Sequence, residues 1–335
     1  MLSILNENKR VRFIYMKVVN IASAKKLNSL VDAPMPELKD GDVLVKIHAV
    51  GVNHVDLLWA DQKVKPDDTI LGLEMAGEVV DGNNTKYNVG NRVMGLIDNG
   101  GYAEYIAVPA ERLMPIPANI DYKKAATIPE SFLTAYQTLF TIGDLHDNQT
   151  VLIHAGASGV GIAAIQLVKQ LTKATVITTS STKKVDICLE YGADHAIDYR
   201  NSDFAEEVQR ITDGHGADLI LDFIGASYYQ QNIKSVALDG QIILIGNLGG
   251  SEIKDVDIMD VIGKRITITG TLLSPRSSEY KAQLINDFSN DVYDLLADDK
   301  IKLYVSNEFD LSESEQALTC MREKQNTGKI ILNVK

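Results

Sequence analysis

From residue 129 onward, apolar runs of strand length alternate with amphipathic segments of helix length. The pattern predicts strands over 151–154, 175–179, 219–223, 241–245 and 265–269, and helices over 130–142, 160–171 and 183–191. Apolar strands separated by amphipathic helices are typical of a parallel sheet that helices cover on both faces. We therefore expect an α/β fold with a doubly wound sheet.

The first third of the chain has a different pattern. β-Branched runs at 43–47 and 78–80 are separated by turn dipeptides such as Asp81-Gly82 and Val89-Gly90, which favours short strands in a partly open barrel. Residues 16–19 form a predicted first strand, and the first 15 residues are interpreted as an extension. Residues 280–335 are predicted to be helical and to end in a strand over 329–332.

The chain length, 335 residues, predicts two domains, since a domain usually has roughly 100–200 residues. The change of pattern predicts the boundaries: a barrel domain over 1–128 and 275–335, to which the final strand is expected to return, and an α/β domain over 129–274. The net charge of −12 disfavours nucleic-acid binding. Two cysteines are too few for a disulfide scaffold, and no apolar run is long enough to cross a membrane. We expect a cytoplasmic protein.

The strongest local motif is the loop that follows the predicted strand at 151–154. It reads His-Ala-Gly-Ala-Ser-Gly-Val-Gly over 154–161 and leads into a helix. Small residues let the backbone approach a phosphate, and the helix N-terminus offers unpaired N–H groups, so the loop favours dinucleotide binding. Ser158 stands where the strict fingerprint has its middle glycine, and a plain tight turn is the competing interpretation. A nucleophile elbow is excluded because Val160, and not glycine, lies two residues after Ser158.

The end of the second predicted strand bears on which nicotinamide cofactor is used. NAD enzymes usually place a carboxylate here for the ribose 2′-hydroxyl. This chain has Thr-Ser-Ser-Thr-Lys-Lys over 179–184, with the hydroxyls of Ser180 and Ser181 and the amine of Lys184 available for a 2′-phosphate. An ordinary capped helix with exposed lysines is the alternative. The residues favour NADPH.

Several phrases in the same order carry a family resemblance. They are Gly-Val-Asn-His-Val-Asp at 51–56, Leu-Gly-Leu-Glu-Met-Ala-Gly at 71–77, Ala-Thr-Ile-Pro at 126–129, Leu-Thr-Ala-Tyr at 133–136, the loop at 154–161, and Gly-Lys-Ile at 328–330. The chain thereby resembles the medium-chain dehydrogenase/reductase superfamily and, within it, the zinc-free quinone oxidoreductases. The phrases at 113–117 and 237–240 are similar to the tumour-suppressor-inducible branch. The resemblance implies a GroES-like barrel joined to a Rossmann cofactor domain.

The resemblance also addresses the metal. Zinc members of the superfamily carry a cysteine where this chain has Asn53 and a histidine where it has Leu73. An amide and an alkyl group cannot replace a thiolate and an imidazole on Zn²⁺. The six histidines show no ligand spacing and are interpreted as surface or packing residues. We expect no metal.

By resemblance, the cofactor would contact a defined set of residues. Asn53 and Thr134 are expected near the nicotinamide, Ser158, Gly159 and Val160 near the pyrophosphate, Ser180, Lys184 and Tyr199 around the 2′-phosphate, Phe223, Ile245, Gly246 and Leu248 along the adenosine and ribose path, and Leu273 and Ser274 near the carboxamide.

The expected activity is hydride transfer from NADPH to a quinone or a conjugated enone without a metal. Many relatives carry a tyrosine about ten residues after the asparagine, but this chain reads Asp-Gln-Lys-Val over 61–64. Asn53 is then the best polar catalytic candidate, with a proton from solvent. An enoyl-thioester reductase and a non-catalytic NADPH-binding protein are the alternatives.

The β-rich stretch 265–273 predicts a homodimer through the edge of the sheet, unless Lys264 and Arg265 protect that edge.

Overall fold

The computed structural model describes residues 15–62 and 64–335, so the predicted extension, apart from Tyr15, lies outside the described residues. The strands are β1 (Tyr15–Val18), β2 (Val31–Pro34), β3 (Asp42–Val52), β4 (Glu74–Asp81), β5 (Arg92–Leu96), β6 (Tyr105–Pro109), β7 (Leu113–Pro115), β8 (Thr150–Ile153), β9 (Thr175–Ser180), β10 (His195–Asp198), β11 (Ala217–Asp222), β12 (Val236–Leu244), β13 (Thr267–Gly270), β14 (Val305–Asp310) and β15 (Lys329–Asn333). The helices are α1 (His54–Gln62), α2 (Tyr122–Ala125), α3 (Pro129–Tyr136), α4 (Gly159–Leu171), α5 (Val185–Glu190), α6 (Phe204–Ile211), α7 (Tyr229–Ser235), α8 (Ile258–Lys264), α9 (Ser278–Ala297) and α10 (Ser314–Arg322).

The second half of the chain forms a six-stranded parallel sheet in the order β10-β9-β8-β11-β12-β13. The chain leaves β8 toward one edge of the sheet through β9 and returns to its other side at β11. Ligands of open α/β sheets bind at such a switch point, outside the carboxyl ends of the strands. The predicted α/β fold with a doubly wound sheet is confirmed.

The first third of the chain and the C-terminal strands form a seven-stranded sheet in the order β14-β15-β3-β4-β5-β7, and β6 also pairs with β3. β15 is antiparallel to β3, so the predicted return of the final strand to the barrel is observed. β1 and β2 pair separately as a two-stranded sheet. The exact domain boundaries stay a prediction.

Helices and loops next to the two sheets contact each other through aromatic packing and a backbone hydrogen bond. Phe288 of α9 packs against Phe132 and Tyr136 of α3, with ring centroids 6.4 Å and 5.8 Å apart. The N–H of Gly328, just before β15, donates to the carbonyl of Ala157 at 2.9 Å. The C-terminal strand therefore lies directly against the dinucleotide loop.

Among the predicted elements, one helix and the edge strand differ from the structure in ways that bear on the site and the sheet edge. The predicted helix over 130–142 is α-helical only to Tyr136 and continues as a π-helical segment, Gln137–Ile142. The predicted strand over 265–269 begins later, because Arg265 adopts a left-handed conformation (φ 52°) that ends α8. The edge strand is therefore only four residues long. No helix among residues 15–62 and 64–335 is long and apolar enough to cross a membrane.

Candidate active site

The loop between β8 and α4 has the local geometry expected of a phosphate-binding turn. Ser158 is the N-cap of α4, and its Oγ accepts the N–H of Gly161 at 3.0 Å. The first N–H groups of a helix have no partner within it, which leaves those of Gly159 and Val160 for a ligand. A Cβ at Gly161 would lie 2.5 Å from the carbonyl oxygen of Ala155, so this tight turn requires glycine there.

The carboxyl ends of β11 and β12 complete a surface for a dinucleotide. Phe223 follows β11, and Ile245, Gly246 and Leu248 follow β12. A Cβ at Gly246 would lie 2.9 Å from the carbonyl oxygen of Phe223, which shows how closely these two loops approach. The structure thus brings the predicted pyrophosphate and ribose residues to one edge of the parallel sheet. The residues fit a dinucleotide.

The residues predicted for the 2′-phosphate gather at the end of β9. The N–H of Tyr199 donates to the carbonyl of Ser180 at 3.3 Å, and Ser181 follows directly. Lys184 lies in the short turn before α5, and its Nζ donates to the carbonyls of Asn326 at 2.6 Å and Lys324 at 3.3 Å. Burial lowers the pKa of Lys184. Its amine retains one hydrogen for a further acceptor.

A series of buried, hydrogen-bonded side chains links the ends of three strands of the parallel sheet. The ring of His154 bonds to Thr179 Oγ1 at 2.9 Å and to Asn232 Oδ1 at 2.7 Å. Asn232 Nδ2 donates to Asp222 Oδ2 at 3.0 Å, so the amide oxygen must accept from His154 Nε2–H, and in the neutral imidazole Nδ1 accepts from the Thr179 hydroxyl. Burial lowers the pKa of His154, in agreement with that state. His154 is a packing histidine, as predicted, and it ties the ends of β8, β9 and β11 together.

Asn53 lies at the end of β3 with its amide engaged by neighbouring groups. Its Nδ2 donates to Glu74 Oε1 at 2.8 Å and to the carbonyl of Gly51 at 3.3 Å. Its Oδ1 accepts from Lys329 Nζ at 2.7 Å. Both amide hydrogens therefore have acceptors within the protein, so Asn53 is better placed to organise this region than to donate to a substrate.

Lys329 and Glu74 form a buried ion pair beside Asn53. Lys329 Nζ lies 2.5 Å from Glu74 Oε1, with the lysine 5% exposed and the glutamate fully buried. A Cβ at Gly159 would lie 2.7 Å from Lys329 Cδ. The lysine stem therefore packs on the dinucleotide loop while its amine reaches the asparagine, and one side chain links the two parts of the site.

Two more carboxyl groups surround this ion pair. The backbone N–H of Glu130, at the start of α3, donates to Glu74 Oε2 at 2.8 Å, and Thr134 Oγ1 lies 3.4 Å from Glu130 Oε1. Burial and the charge of Glu74 raise the pKa of Glu130 to about 7. Asp56 accepts hydrogen bonds from the backbone N–H groups of Asn53 and Gly72 at 2.9 and 3.0 Å. Burial raises its pKa to about 6.

The sequence analysis did not identify this buried cluster, of whose four side chains Glu130 alone keeps partial exposure. Its members, Glu74, Glu130, Lys329 and Asp56, lie on four different elements. One signal was available: Glu74 and Lys329 each interrupt or precede an apolar strand, where a charged residue is rarely buried without a partner.

The segment predicted near the carboxamide is held by a second buried lysine. Leu273 is 4% exposed, and the carbonyl of Ser274 accepts from Lys281 Nζ at 2.6 Å. The same amine pairs with Asp98 at 2.5 Å. Lys281 thus joins the segment after β13 to the loop after β5.

The positions of the zinc ligands in zinc-containing relatives hold non-ligating groups. Leu73 is buried at 1% exposure, and the Asn53 amide is engaged as described. Within residues 15–62 and 64–335, no three His, Cys, Asp or Glu side chains come together as a metal site. Metal independence stays a prediction.

Comparisons with known proteins agree with this architecture. Residues 39–118 match the family model of the alcohol dehydrogenase GroES-like domain, and residues 159–290 match that of the zinc-binding dehydrogenases. The chain is 32% identical over 305 residues to a quinone oxidoreductase-like protein 2 homolog of Nematostella vectensis, which covers 89% of this chain and 83% of the relative.

Solved structures are similar over nearly the whole chain. A mycobacterial protein complexed with NADPH superposes with a TM-score of 0.84 at 26% identity, covering 95% of this chain and 99% of that one. A quinone oxidoreductase of Pseudomonas syringae pv. Tomato superposes with a TM-score of 0.83 at 26% identity and the same coverage.

Proposed function

We propose that this chain is a metal-free reductase that transfers a hydride from NADPH to a quinone or a conjugated enone. The chain belongs to the medium-chain dehydrogenase/reductase superfamily and is an oxidoreductase of its quinone oxidoreductase-like type. One observation carries the proposal: the dinucleotide loop touches the buried Lys329, whose amine reaches Asn53. The phosphate-binding turn and the polar cluster thus form one continuous site. The similarity to a protein complexed with NADPH supports the cofactor.

The residues of this chain would bind and orient the cofactor and exclude water from the site. NADPH supplies the hydride when it is bound, and a quinone or enone is electrophilic without a Lewis acid. The N-terminus of α4 would hold the pyrophosphate. The contacts of Lys329 with Asn53 and Glu74 would form a rigid wall beside the position proposed for the nicotinamide, and the buried side chain of Thr134 would limit the access of water to it.

The acceptor class is tested by following NADPH oxidation with quinones, enones and enoyl thioesters. We expect turnover with quinones and enones and little with enoyl thioesters, because the segment 61–64 has no tyrosine. A preference for enoyl thioesters would assign the chain to the reductases of thioester-bound acyl chains instead. Binding of NADPH without turnover of any acceptor would indicate a non-catalytic protein.

The preference for NADPH is tested at Lys184. No carboxylate occurs over residues 179–184, and the amine of Lys184 has one hydrogen free for the 2′-phosphate. Lys184→Glu should weaken NADPH binding about 10- to 100-fold, as expected for a charge-assisted hydrogen bond of roughly 1.5–3 kcal/mol, and should leave NADH binding nearly unchanged. The exposed neighbour provides the matched control, Lys183→Glu. Equal losses for both cofactors in a titration by fluorescence would place the 2′-phosphate elsewhere.

We also propose a homodimer through the β13 edge. Among the described residues, Ile258, Met259, Ile262 and Leu272 lie near this edge and are each more than half exposed. The residues expected to protect the edge are engaged elsewhere. Lys264 Nζ donates to the carbonyls of Ile233 and Val236, and Arg265 pairs with Asp239.

Light scattering tests this assembly. The mass should be twice the 36.7 kDa of one chain. Ile262→Lys should dissociate the dimer, because burying an unpaired charge in an apolar interface is costly. The control is Leu189→Lys on α5, where the exposed leucine lies away from β13. A wild-type mass near that of one chain would refute the proposal.

A further inference from the structure

The proposed reduction requires a proton as well as a hydride, and this inference rests on that proposed function. Hydride addition to an enone or a quinone leaves negative charge on the acceptor oxygen, which a positioned acid neutralises. The amide hydrogens of Asn53 are already donated to Glu74 and Gly51. Asn53 therefore has no free hydrogen for the acceptor oxygen, and the neighbouring acidic groups are the candidates for a positioned acid.

Glu130 and Thr134 lie one turn apart on α3, on the same face of the helix. Thr134 Oγ1 is 3.4 Å from Glu130 Oε1. Ser131, between them, lies next to the dinucleotide loop, since a Cβ at Gly159 would be 3.0 Å from Ser131 Oγ. The pair therefore borders the region where the cofactor loop meets Asn53.

Among residues 15–62 and 64–335, Glu130 has no counter-ion of its own. Charged groups face it from three other elements: Glu74 on β4, Asp56 on α1 and Lys329 on β15. The three hydrogens of Lys329 Nζ go to the carbonyl of Val52, to Asn53 and to Glu74, and none goes to Glu130. The positive charge of Lys329 is thus shared among three carboxyl groups, and of these it hydrogen-bonds to Glu74.

One oxygen of Glu130 is both buried and unsatisfied. Among the described residues, its Oε2 has no hydrogen-bond partner. An unpaired buried carboxylate is costly, and a proton removes the charge. Burial and the neighbouring Glu74 charge raise the pKa of Glu130 to about 7, so the group holds a proton in a substantial fraction of molecules at neutral pH.

We propose that Glu130 and Thr134 form a proton relay to the oxygen of the acceptor. As the acceptor receives the hydride from NADPH, the Thr134 O–H bond breaks and its proton joins the acceptor oxygen. The Glu130 O–H bond breaks at the same time, and its proton restores the threonine hydroxyl. The products are the reduced acceptor, NADP⁺ and a Glu130 carboxylate, which takes up a proton from solvent before the next cycle.

The hydroxyl of Thr134 suits this role because its direction depends on the protonation of Glu130. A protonated Glu130 donates to Thr134 Oγ1 and leaves the threonine hydrogen free for the acceptor. An ionised Glu130 accepts that hydrogen instead. Thr134 is 6% exposed, so bulk water does not compete for the contact.

Isosteric variants test the relay with an enone as acceptor. Glu130→Gln and Thr134→Val should each lower kcat about 10²- to 10⁴-fold with KM nearly unchanged, the range of general acid catalysis. Thr134→Ser restores a hydroxyl and should recover most of the rate. The control is Thr138→Val, which removes a buried hydroxyl one turn further along that bonds only to the carbonyls of Thr134 and Ala135. It should change kcat less than threefold.

The pH profile separates a proton-transfer role from a structural one. In the wild type kcat should fall above about pH 7, as Glu130 loses its proton, and in Glu130→Gln the profile should be flat there. An unchanged kcat in Glu130→Gln, or the same alkaline limb in both proteins, would overturn the relay.

A titration of the cofactor-free protein gives a readout independent of turnover. Carboxyl ¹³C NMR of glutamate-labelled protein should show a resonance with a midpoint near 7 that Glu130→Gln lacks. A midpoint near the ordinary pKa of 4.5 would overturn the relay. A wild type that reduces enones while both variants stay fully active would refute the relay alone, whereas a wild type inactive with every acceptor would refute the proposed function.

Discussion

Removing the amine of Lys329 should destabilise the folded protein by about 3–5 kcal/mol, the usual cost of breaking a buried ion pair. Lys329→Met keeps most of the stem that packs against Gly159 but leaves the Glu74 carboxylate without a cation. That carboxylate is fully buried and retains only the hydrogen bonds from Asn53 and from the Glu130 N–H. Urea unfolding at pH 8 measures the loss.

The size of this loss should depend on pH. Burial raises the pKa of Glu130 from its usual 4.5 to about 7, so the folded state holds a proton that the unfolded state releases between these values. The free energy of unfolding of the wild type therefore receives a contribution from this group that declines as pH rises through that window. Without Lys329 the carboxyl groups bind protons more strongly, so the penalty of Lys329→Met should be smaller at pH 6 than at pH 8.

A double-mutant cycle isolates the ion pair. Glu74→Gln alone leaves a buried ammonium with no carboxylate and should also be costly, whereas Lys329→Met combined with Glu74→Gln leaves no buried charge and should cost less than the sum of the two. The control is Lys335→Met, because Lys335 pairs with Asp310 at the surface and should contribute less than about 1 kcal/mol. Additive losses, or a loss below about 1 kcal/mol for Lys329→Met, would refute the reasoning.

Three further substitutions test other parts of the site. Gly159→Ala should weaken NADPH binding at least tenfold in a fluorescence titration, because its Cβ would lie 2.7 Å from Lys329 Cδ. The control is Gly263→Ala, whose Cβ would meet open space, so the free energy of unfolding should stay unchanged or rise by up to about 1 kcal/mol. Asn232→Leu leaves His154 Nε2–H without its acceptor and should cost about 1–3 kcal/mol in urea unfolding. Because burial lowers the pKa of His154, its contribution to stability is full above about pH 6.5 and is lost as pH falls below it, so the wild type and His154→Phe should differ less at pH 5 than at pH 7.

The parallel sheet could be predicted because its strands are continuous apolar runs between clear loop signals. β8 and β9 match their predicted ranges within a residue at each end. β12 begins five residues earlier than predicted, since Asp239-Gly240 reads as a turn while the structure carries the strand through it with Asp239 at φ 63°. β14 was missed because its sequence, Val-Ser-Asn-Glu-Phe-Asp, has little apolar character, and its pairing with β15 is a tertiary contact.

The candidate site likewise has one part that could be predicted from the sequence and one part that could not. The dinucleotide loop is local in sequence, so its residues and their order revealed it. The buried cluster is not local: Glu130 reads as an ordinary acidic residue in the first turn of a helix, and Lys329 as a solvated charge at the start of a strand. Only the pairing of β15 with β3 brings Lys329 to Asn53, and no periodicity within either segment reports that pairing.

The docking of the C-terminal strand also sets an order for folding. Lys329 meets Glu74 across 255 positions of the chain and Asn53 across 276. Contacts of such high sequence separation require closure of a very large loop, so we expect them to form after the local pairings of each sheet. A chain in which the other strands have paired but β15 is still undocked would have a dinucleotide loop without Lys329 against Gly159. We therefore expect the candidate site to be completed late in folding, and binding of a cofactor there would depend on the whole chain having folded.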